Sequence, residues 1–334
     1  MNRVKNYLSL VTFSHTIFAM PFALIGFYLA IKKPFSGFTQ LNLNTSISWS
    51  NYSTPFIANN SLSHKLLAGM NPYWGTAIYL GLVILCMVFA RSAAMGFNRW
   101  LDAKYDAMNP RTAIREIPAG VIKPNNALAF VIINCILFIT ATFFINSLCF
   151  YLSPVALFVI LFYSYTKRFT ALCHLVLGVG LSLAPIGAYI AVTGQFGLLP
   201  IIFSFTVLFW VSGFDIIYAL QDEHFDKQHQ LHSIPSAVGK VKALRISEML
   251  HFLSAACVIT AGFYGHFGYF YWAGAIFYIS LLIYQHLLVK PNDLSKVNRA
   301  FFTTNGIASV VFAIFVILDL FLHSTGAWNL NAAP

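Results

Sequence analysis

Long apolar segments recur along the whole chain, and they limit its fold more than any other feature of the sequence. Each segment runs for about 18 to 25 residues, and about 20 helical residues cross a hydrocarbon core of ~30 Å. Backbone polar groups in lipid must find hydrogen-bond partners within their own segment, which favours helices. The sequence therefore predicts an all-α, polytopic membrane protein.

We predict nine spans, and the fourth is unusually short. They lie at about residues 8–31, 73–97, 126–149, 151–165, 172–193, 199–221, 243–264, 269–289 and 301–323. We predict one domain over residues 1–334, with a polar, Asn- and Ser-rich outer-loop insertion at about 34–72. The five cysteines lie within or beside apolar segments and form no CxxC pair, so we interpret them as packing residues.

The distribution of cationic residues predicts the orientation. Seventeen of the twenty Lys and Arg residues lie at the N-terminus or in the second, fourth, sixth and eighth loops. Because Lys and Arg are retained on the cytoplasmic side, we expect the N-terminus inside and the C-terminus outside, which agrees with an odd number of spans. The net charge of +10 thus follows the topology, and we predict no nucleic-acid partner.

Acidic residues are rare, yet six of the ten lie in two inner segments, 98–125 and 222–245. Consecutive residues of a helix are about 100° apart, so positions four apart lie close to one line along its surface. Asn98, Asp102 and Asp106 therefore share one stripe of a helix. A solvated helix end accounts for a single acid there, but not for the whole set.

A second stripe repeats this spacing with Asp222 and Asp226. Asp215 points the same way from deeper in the membrane, with Tyr218 between, and an intramembrane carboxylate is costly unless it has a partner. Hard oxygen ligands on two helices suit Mg²⁺, which combines carboxylates, waters and phosphate oxygens. The two stripes predict two facing half-sites for a Mg²⁺-bound diphosphate.

Basic residues near both stripes support a phosphate site. Arginine presents a planar fork to phosphate or carboxylate, and lysine a point charge. The candidate diphosphate ligands are Arg111, Arg115, Lys167 and Arg168. Lys167 and Arg168 also fit simple topology signals at a span end. Arg91 lies seven residues before Asn98 and higher in the membrane, where snorkelling to the interface is its alternative role.

In combination, these motifs resemble the UbiA superfamily of intramembrane aromatic prenyltransferases over nearly the whole chain. The motifs are NxxxDxxxD at 98–106, 111-RTAIREIPAG-120, 163-YSYTKRFT-170 and 215-DIIYALQDEHFD-226. The stretches 15-HTIFAMPF-22 and 172-LCHLVLG-178 are most similar to members that act as 4-hydroxybenzoate-type or menaquinone-pathway polyprenyltransferases. The chain departs from the family pattern at Arg99, Glu116, His224 and Phe225.

The resemblance implies a nine-helix bundle around a central cavity that opens near the cytoplasmic side of, we expect, a bacterial inner membrane. It implies Mg²⁺ as cofactor, and a polyprenyl diphosphate, an aromatic acid and the lipid bilayer as partners. The expected metal ligands are Asn98, Asp102, Asp106, Asp222 and Asp226. The expected catalytic residues are Asp102, Asp215, Tyr218 and Asp222. Arg91 is our candidate for the acceptor carboxylate.

Two other functions remain open at this stage. A haem or chlorophyll-type prenyltransferase would share the fold. A secondary transporter would use intramembrane acids for ion coupling, but typically places them at broken helices near the bilayer midplane. We interpret His15 and His174 as hydrogen-bonded structural residues, with contact between His15 and the acceptor as the alternative.

Overall fold

The structure is a computed structural model that describes residues 3–11, 18–32 and 72–322. Its α-helices are α1 (Arg3–Leu10), α2 (Met20–Lys32), α3 (Pro72–Leu101), α4 (Ala103–Met108), α5 (Pro124–Phe143), α6 (Ser147–Thr166), α7 (Cys173–Thr193), α8 (Leu198–Ala219), α9 (Glu223–Gln228), α10 (Ile234–Tyr264), α11 (Tyr269–Leu288) and α12 (Asn305–Leu322). A 3₁₀ turn, Leu220–Asp222, precedes α9, and a π-helical turn, Arg299–Thr304, precedes α12. All of these elements are helical, which confirms the predicted fold class.

Eight helices in the described ranges are long and apolar enough to cross a membrane, so the chain is an integral membrane protein. Helix α2, with 13 residues, is shorter and falls within the first predicted span. Residues 12–17 of that span, His15 among them, lie outside the described residues. The count of nine spans therefore stays a prediction, as do the outer loop at 34–72 and the position of the C-terminus, which also fall outside the described ranges.

The prediction of a short fourth span was wrong, because α6 has 20 residues. Its start is set by Asn146, whose side chain accepts a hydrogen bond from the Cys149 amide at 2.8 Å. The same side chain donates to the Ile190 carbonyl at 2.9 Å, which ties α6 to α7. Asn is among the preferred residues at this capping position, and apolar segments alone do not reveal such a cap.

The core lies where α2, α8, α11 and α12 meet, and it is built from aromatic side chains. Trp210 is fully buried, and its ring lies 5.4 Å from that of Phe22. Tyr278 and Phe312 pack on the same cluster with ring centroids 5.1 Å apart. The Trp210 indole N–H finds a partner in Asn305 Oδ1 at 2.9 Å. These contacts make this side of the bundle the rigid one.

The other side of the bundle is thinner. In the most apolar stretch of α3, 17% of the residues are buried, compared with 56% in that of α8. Helices α3, α5 and α6 are therefore covered by protein on one face only. They form a wall, and the candidate site lies between this wall and the aromatic core.

Candidate active site

A cavity of about 640 Å³ extends between α3, α6, α7 and α8. At one end it is lined by both acidic motifs, from Asn98 to Asp106 and from Asp215 to Asp222. Toward the opposite end of the bundle its lining is mostly apolar and reaches Ile145 and Ile190. The cavity thus joins a charged end to a long apolar compartment, which suits a molecule with a polar head and an isoprenoid-like tail.

Both acidic motifs lie at the same kind of helix break. Asp102 separates α3 from the six-residue α4 and has φ −94°, ψ 7°. Asp222 precedes the six-residue α9 and has φ −101°, ψ 2°. This bridge region is sparsely populated and often holds active-site residues. The i to i−4 hydrogen bonds continue through Asp102, whose amide donates to Asn98 O at 3.0 Å, so the predicted stripe is kept across the break.

Each of the four acids of the two half-sites forms an ion pair with one of the four predicted diphosphate ligands. The pairs are Asp102 with Arg168, Asp106 with Arg115, Asp222 with Arg111, and Asp226 with Lys167. Three of these bases come from a different part of the fold than the acid that they contact, and only Arg115 lies in the loop that follows its partner. The ion pairs therefore hold the two half-sites together.

Arg111 makes the most extensive of these contacts. Its Nε donates to Asp222 Oδ1 at 3.1 Å, and its Nη2 donates to Asp222 Oδ2, so the contact is bidentate. Its Nη1 donates to the Tyr218 hydroxyl at 2.8 Å. Asn109 Nδ2 adds a further hydrogen bond to Asp222 Oδ1 at 3.2 Å. The loop after the first acidic motif therefore binds the second motif directly, through Asp222.

Asp226 is the most enclosed acid of the site. Its side chain has no solvent exposure, and Lys167 Nζ lies 2.7 Å from Oδ1. Ser233 Oγ donates to Oδ2 at 2.8 Å. Ser233 is also the N-cap of α10, where its side chain accepts from the Ser236 amide. The start of α10 is therefore bound directly to the second half-site.

The first half-site is more open than the second, and burial raises the pKa of both of its acids. Burial raises the pKa of Asp102 by more than the positive charges of Arg168 and Lys167 lower it. Burial raises the pKa of Asp106 to about 6, so this carboxylate is still mostly ionised at neutral pH. Oδ2 of Asp106 is buried and has no hydrogen-bond partner in the part of the chain that the structure describes. Such an oxygen can accept a metal-bound water or a cation.

The donor chemistry of the site fits Mg²⁺, which prefers carboxylate and amide oxygens together with waters and phosphate. In the described ranges, however, no group of three or more Asp, Glu, His or Cys residues converges as a metal cluster. The acids face their bases instead. A metal bound here would therefore rely on a few carboxylates per ion and on oxygens from the substrate.

Three further predicted residues line the cavity beside the ion pairs. Tyr218 lies under Arg111 and stacks on Phe301, with ring centroids 4.2 Å apart. Asp215 Oδ2 lies 2.7 Å from His174 Nδ1. The Nε atom of Arg91 is buried and has no hydrogen-bond partner among the described residues, although the residue lines the cavity. Arg91 thus lines the same cavity as Tyr218 and Asp215 and has an unused donor.

Several residues of this network were missed by the sequence interpretation. Ser233 donates a hydrogen bond to Asp226, and Asn109 donates one to Asp222. His174 forms a hydrogen bond with Asp215. The Ser-Ile-Pro start of α10 is a helix N-terminus signal that could have singled out Ser233. No sequence signal links His174 to a carboxylate 41 positions away. The interpretation of His174 as a hydrogen-bonded residue nevertheless agrees with the structure.

Comparisons with known proteins identify the family of this chain. Residues 66–307 match the UbiA prenyltransferase family. The chain is 28% identical over 239 residues to 4-hydroxybenzoate octaprenyltransferase of Francisella tularensis subsp. mediasiatica, covering 72% of this chain and 84% of that protein.

Two solved structures share the fold. A UbiA homolog from Aeropyrum pernix K1 in its apo form is similar with a TM-score of 0.68 and 23% identity, over 92% of this chain and 98% of that one. A UbiA homolog from Archaeoglobus fulgidus, solved with GPP and Mg²⁺, has a TM-score of 0.61 and 17% identity, over 95% and 99%. With the motifs, the cavity and the family match together, the chain belongs to the UbiA prenyltransferase family and is a membrane-embedded prenyltransferase.

Proposed function

We propose that this prenyltransferase transfers a polyprenyl group from its diphosphate to an aromatic acid in quinone biosynthesis, with Mg²⁺ as cofactor. The observation that carries the proposal is the cavity with two ends, one bearing four acid–base pairs and the other apolar. A diphosphate head matches the first end, and an isoprenoid tail matches the second. The relatives named 4-hydroxybenzoate octaprenyltransferase favour a 4-hydroxybenzoate-like acceptor over a dihydroxynaphthoate-like one.

The diphosphate binds the four bases that form ion pairs with the acids in this structure. When the fork of Arg111 and the charges of Arg115, Lys167 and Arg168 turn to phosphate oxygens, their carboxylate partners are freed. The residues that would hold Mg²⁺ are Asn98, Asp102, Asp106, Asp222 and Asp226. When bound, the metal neutralises charge on the diphosphate as it leaves. The related protein from Archaeoglobus fulgidus, solved with GPP and Mg²⁺, supports this pairing of ligands.

The acceptor occupies the cavity next to the ion pairs. Its carboxylate binds the guanidinium of Arg91, which lines the cavity and whose Nε has no hydrogen-bond partner among the described residues. Asp215 and Tyr218, which line the same part of the cavity, face the ring and its hydroxyl. This arrangement selects an aromatic ring that carries an acid group and a hydroxyl at opposite ends.

The reaction exchanges one bond for another at the allylic carbon. The carbon–oxygen bond to the diphosphate breaks, and its electron pair leaves with the phosphate. An electron-rich ring carbon beside the hydroxyl forms the new carbon–carbon bond, and the proton on that carbon is lost to restore the aromatic ring. Apolar side chains along the cavity exclude water, which would otherwise capture the allylic cation.

We further propose that the chain forms one domain over 1–334 in a bacterial inner membrane, with the acidic motifs on the cytoplasmic side. The enrichment of Lys and Arg in alternate loops supports this orientation. Diphosphate substrates are water-soluble at their head group, so a site that opens toward the cytoplasm meets them directly. Cysteine accessibility labelling of loops on the two sides tests the orientation.

The function is tested with membranes that contain the protein, Mg²⁺, radiolabelled polyprenyl diphosphates and a set of aromatic acids. We expect a lipid-soluble labelled product with 4-hydroxybenzoate, lost in Asp102→Ala, in Asp222→Ala and after addition of a chelator. Product with dihydroxynaphthoate alone would reassign the acceptor. No labelled product with any aromatic acid would overturn the proposal.

Arg91 provides a sharper test of the acceptor site. We expect Arg91→Ala to raise the acceptor KM at least ~10-fold, the cost of one lost charge-assisted hydrogen bond, and to leave the polyprenyl diphosphate KM within about twofold. Arg245→Ala, at an exposed arginine of α10, serves as the matched control and keeps both KM values. Equal increases in both KM values for Arg91→Ala would place this arginine outside the acceptor site.

A further inference from the structure

The N-terminus of α10 contacts Asp226 directly and is linked to Asp215 through His174. Ser233 Oγ binds Asp226, and the backbone N–H of the next residue, Ile234, donates to His174 Nε2 at 3.3 Å. His174 Nδ1 in turn lies 2.7 Å from Asp215 Oδ2. A continuous chain of hydrogen bonds therefore leads from the helix start to the intramembrane carboxylate.

This chain fixes the tautomer of His174. A peptide N–H can only donate, so Nε2 of the imidazole must carry a lone pair toward Ile234. The single ring proton of the neutral imidazole then lies on Nδ1, and it is donated to Asp215. The assignment follows from the hydrogen-bond partners and needs no observed hydrogen.

Both ring nitrogens of His174 are occupied, and the residue is only 3% exposed. It cannot exchange a proton with a molecule in the cavity without breaking one of these bonds. The Asp215 side chain is 22% exposed and lines the cavity. Its Oδ1 makes no hydrogen bond within the described ranges, so one carboxylate oxygen is held and the other is available.

We propose that His174 is a positioning residue, which holds Asp215 so that its free oxygen accepts a hydrogen bond from the hydroxyl of the aromatic acceptor. The inference rests on the proposed function. A neutral imidazole donor holds the carboxylate by a hydrogen bond without placing a positive charge beside it. A hydroxyl that donates to a carboxylate gains electron density in its ring, which makes the neighbouring ring carbon a better nucleophile.

His174→Leu and His174→Gln separate this role from simple packing. Leucine fills a similar volume without hydrogen bonds, whereas the glutamine amide has one donor and one acceptor, as the neutral imidazole does. We expect the leucine variant to lose ~10- to 100-fold in kcat/KM for the acceptor, the loss of one hydrogen bond to a charged group. The KM for the polyprenyl diphosphate should stay within about twofold, and the glutamine variant should recover most of the loss.

A double-mutant cycle with Asp215→Ala gives the decisive measurement. If His174 acts through Asp215, His174→Leu has no further effect once the carboxylate is gone. Acceptor binding by calorimetry provides the same cycle where turnover of Asp215→Ala is too slow to measure. His266→Asn, at an exposed histidine just after α10 whose φ of 46° asparagine tolerates, is the control and should behave as the unmodified protein.

Three results would overturn the inference. They are an independent loss from His174→Leu in the Asp215→Ala background, equal increases in the KM values of both substrates, and a glutamine variant as impaired as the leucine variant. If the unmodified protein prenylates an aromatic acid while one of these results is found, only the role of His174 fails. If the unmodified protein prenylates no aromatic acid, the proposed function itself fails.

Discussion

The two half-sites share a backbone and differ in their surroundings. Asp102 and Asp222 occupy the same unusual backbone conformation at the break before a six-residue helix. Gly120 with φ +73° and Gly239 with φ +79° both have a positive φ, but 115–120 forms turns whereas 234–239 begins α10. The feature that the two halves share is therefore the helix break at the acid.

The surroundings of the two halves differ. In the first half, Asp106 has a side chain that is 9% exposed and an oxygen without a hydrogen-bond partner among the described residues. In the second half, Asp226 is fully enclosed by Lys167 and Ser233. Both halves continue along the cavity wall, the first through Arg91 and the second through Asp215. The comparison teaches that the same helix break holds a more accessible acid in one half and a fully enclosed acid in the other.

The largest expected effect tests what the two halves share. Asp102→Asn and Asp222→Asn keep shape and remove charge, and we expect each to lower kcat by roughly 10²- to 10³-fold, as loss of one electrostatic group at a reacting centre does. The measurement is product formation at saturating Mg²⁺ and substrates. Asp293→Asn, at an exposed loop acid, is the control. A much smaller loss in one variant would mean that the shared backbone does not reflect a shared role.

A smaller effect should separate the bases. Arg111 holds both oxygens of Asp222 and the Tyr218 hydroxyl, whereas Arg115 contacts Asp106 through one nitrogen at 2.6 Å. Lysine can replace a single contact but not a fork. We therefore expect Arg111→Lys to lose ~10- to 100-fold in kcat/KM for the polyprenyl diphosphate, and Arg115→Lys about threefold.

A larger loss of kcat/KM in Arg115→Lys than in Arg111→Lys would contradict this prediction. In that case the loop after α4, which carries Arg111, would not be the segment that joins the two half-sites. The thermal denaturation of each variant is measured in detergent alongside both assays. A variant that unfolds loses activity for a reason unrelated to diphosphate binding. Each variant is compared at a temperature well below its own transition.

The smallest effect concerns stability, and we expect a loss of stability in both halves. Gly120→Ala and Gly239→Ala place a side chain at positive φ, while the added Cβ meets no atom within 4 Å. We expect a backbone cost of about 1–3 kcal/mol, larger at Gly239 because its ψ of 165° is essentially restricted to glycine, seen as a lower melting temperature. Gly81→Ala, at a helical glycine with equally open surroundings, should be neutral or slightly stabilising. An unchanged melting temperature in either turn variant would contradict this prediction.

Hydropathy predicted the helices well, because a membrane protein must bury its backbone within each segment. It failed at α6, where the boundary depends on the single cap Asn146, and at α10, which begins nine residues before the predicted span and has a kink at Gly239. Caps and positive φ angles are local features of one or two residues. They do not change the mean hydropathy of a window.

The helical spacing correctly predicted that the acids lie together at the cavity, except for Asp226, which is fully buried and does not line it. The spacing could not reveal the partners of these acids. Periodicity states which residues share a face, not which residue approaches from another helix. Arg168 meets Asp102 across 66 positions, and Arg111 meets Asp222 across 111. These pairs exist only because α6 and the loop after α4 come together in the folded bundle. The metal and acceptor roles assigned to the acids and to Arg91 stay predictions until the variants are measured.

The four acid–base pairs also bear on how a catalytic cycle ends. Each base that turns to the diphosphate leaves an acid behind, and each is tethered to that acid through a folded scaffold at high effective concentration. If the proposed function holds, these tethered partners compete with the departing diphosphate for the same bases after the allylic bond has broken. We therefore expect the protein's own carboxylates to assist product release.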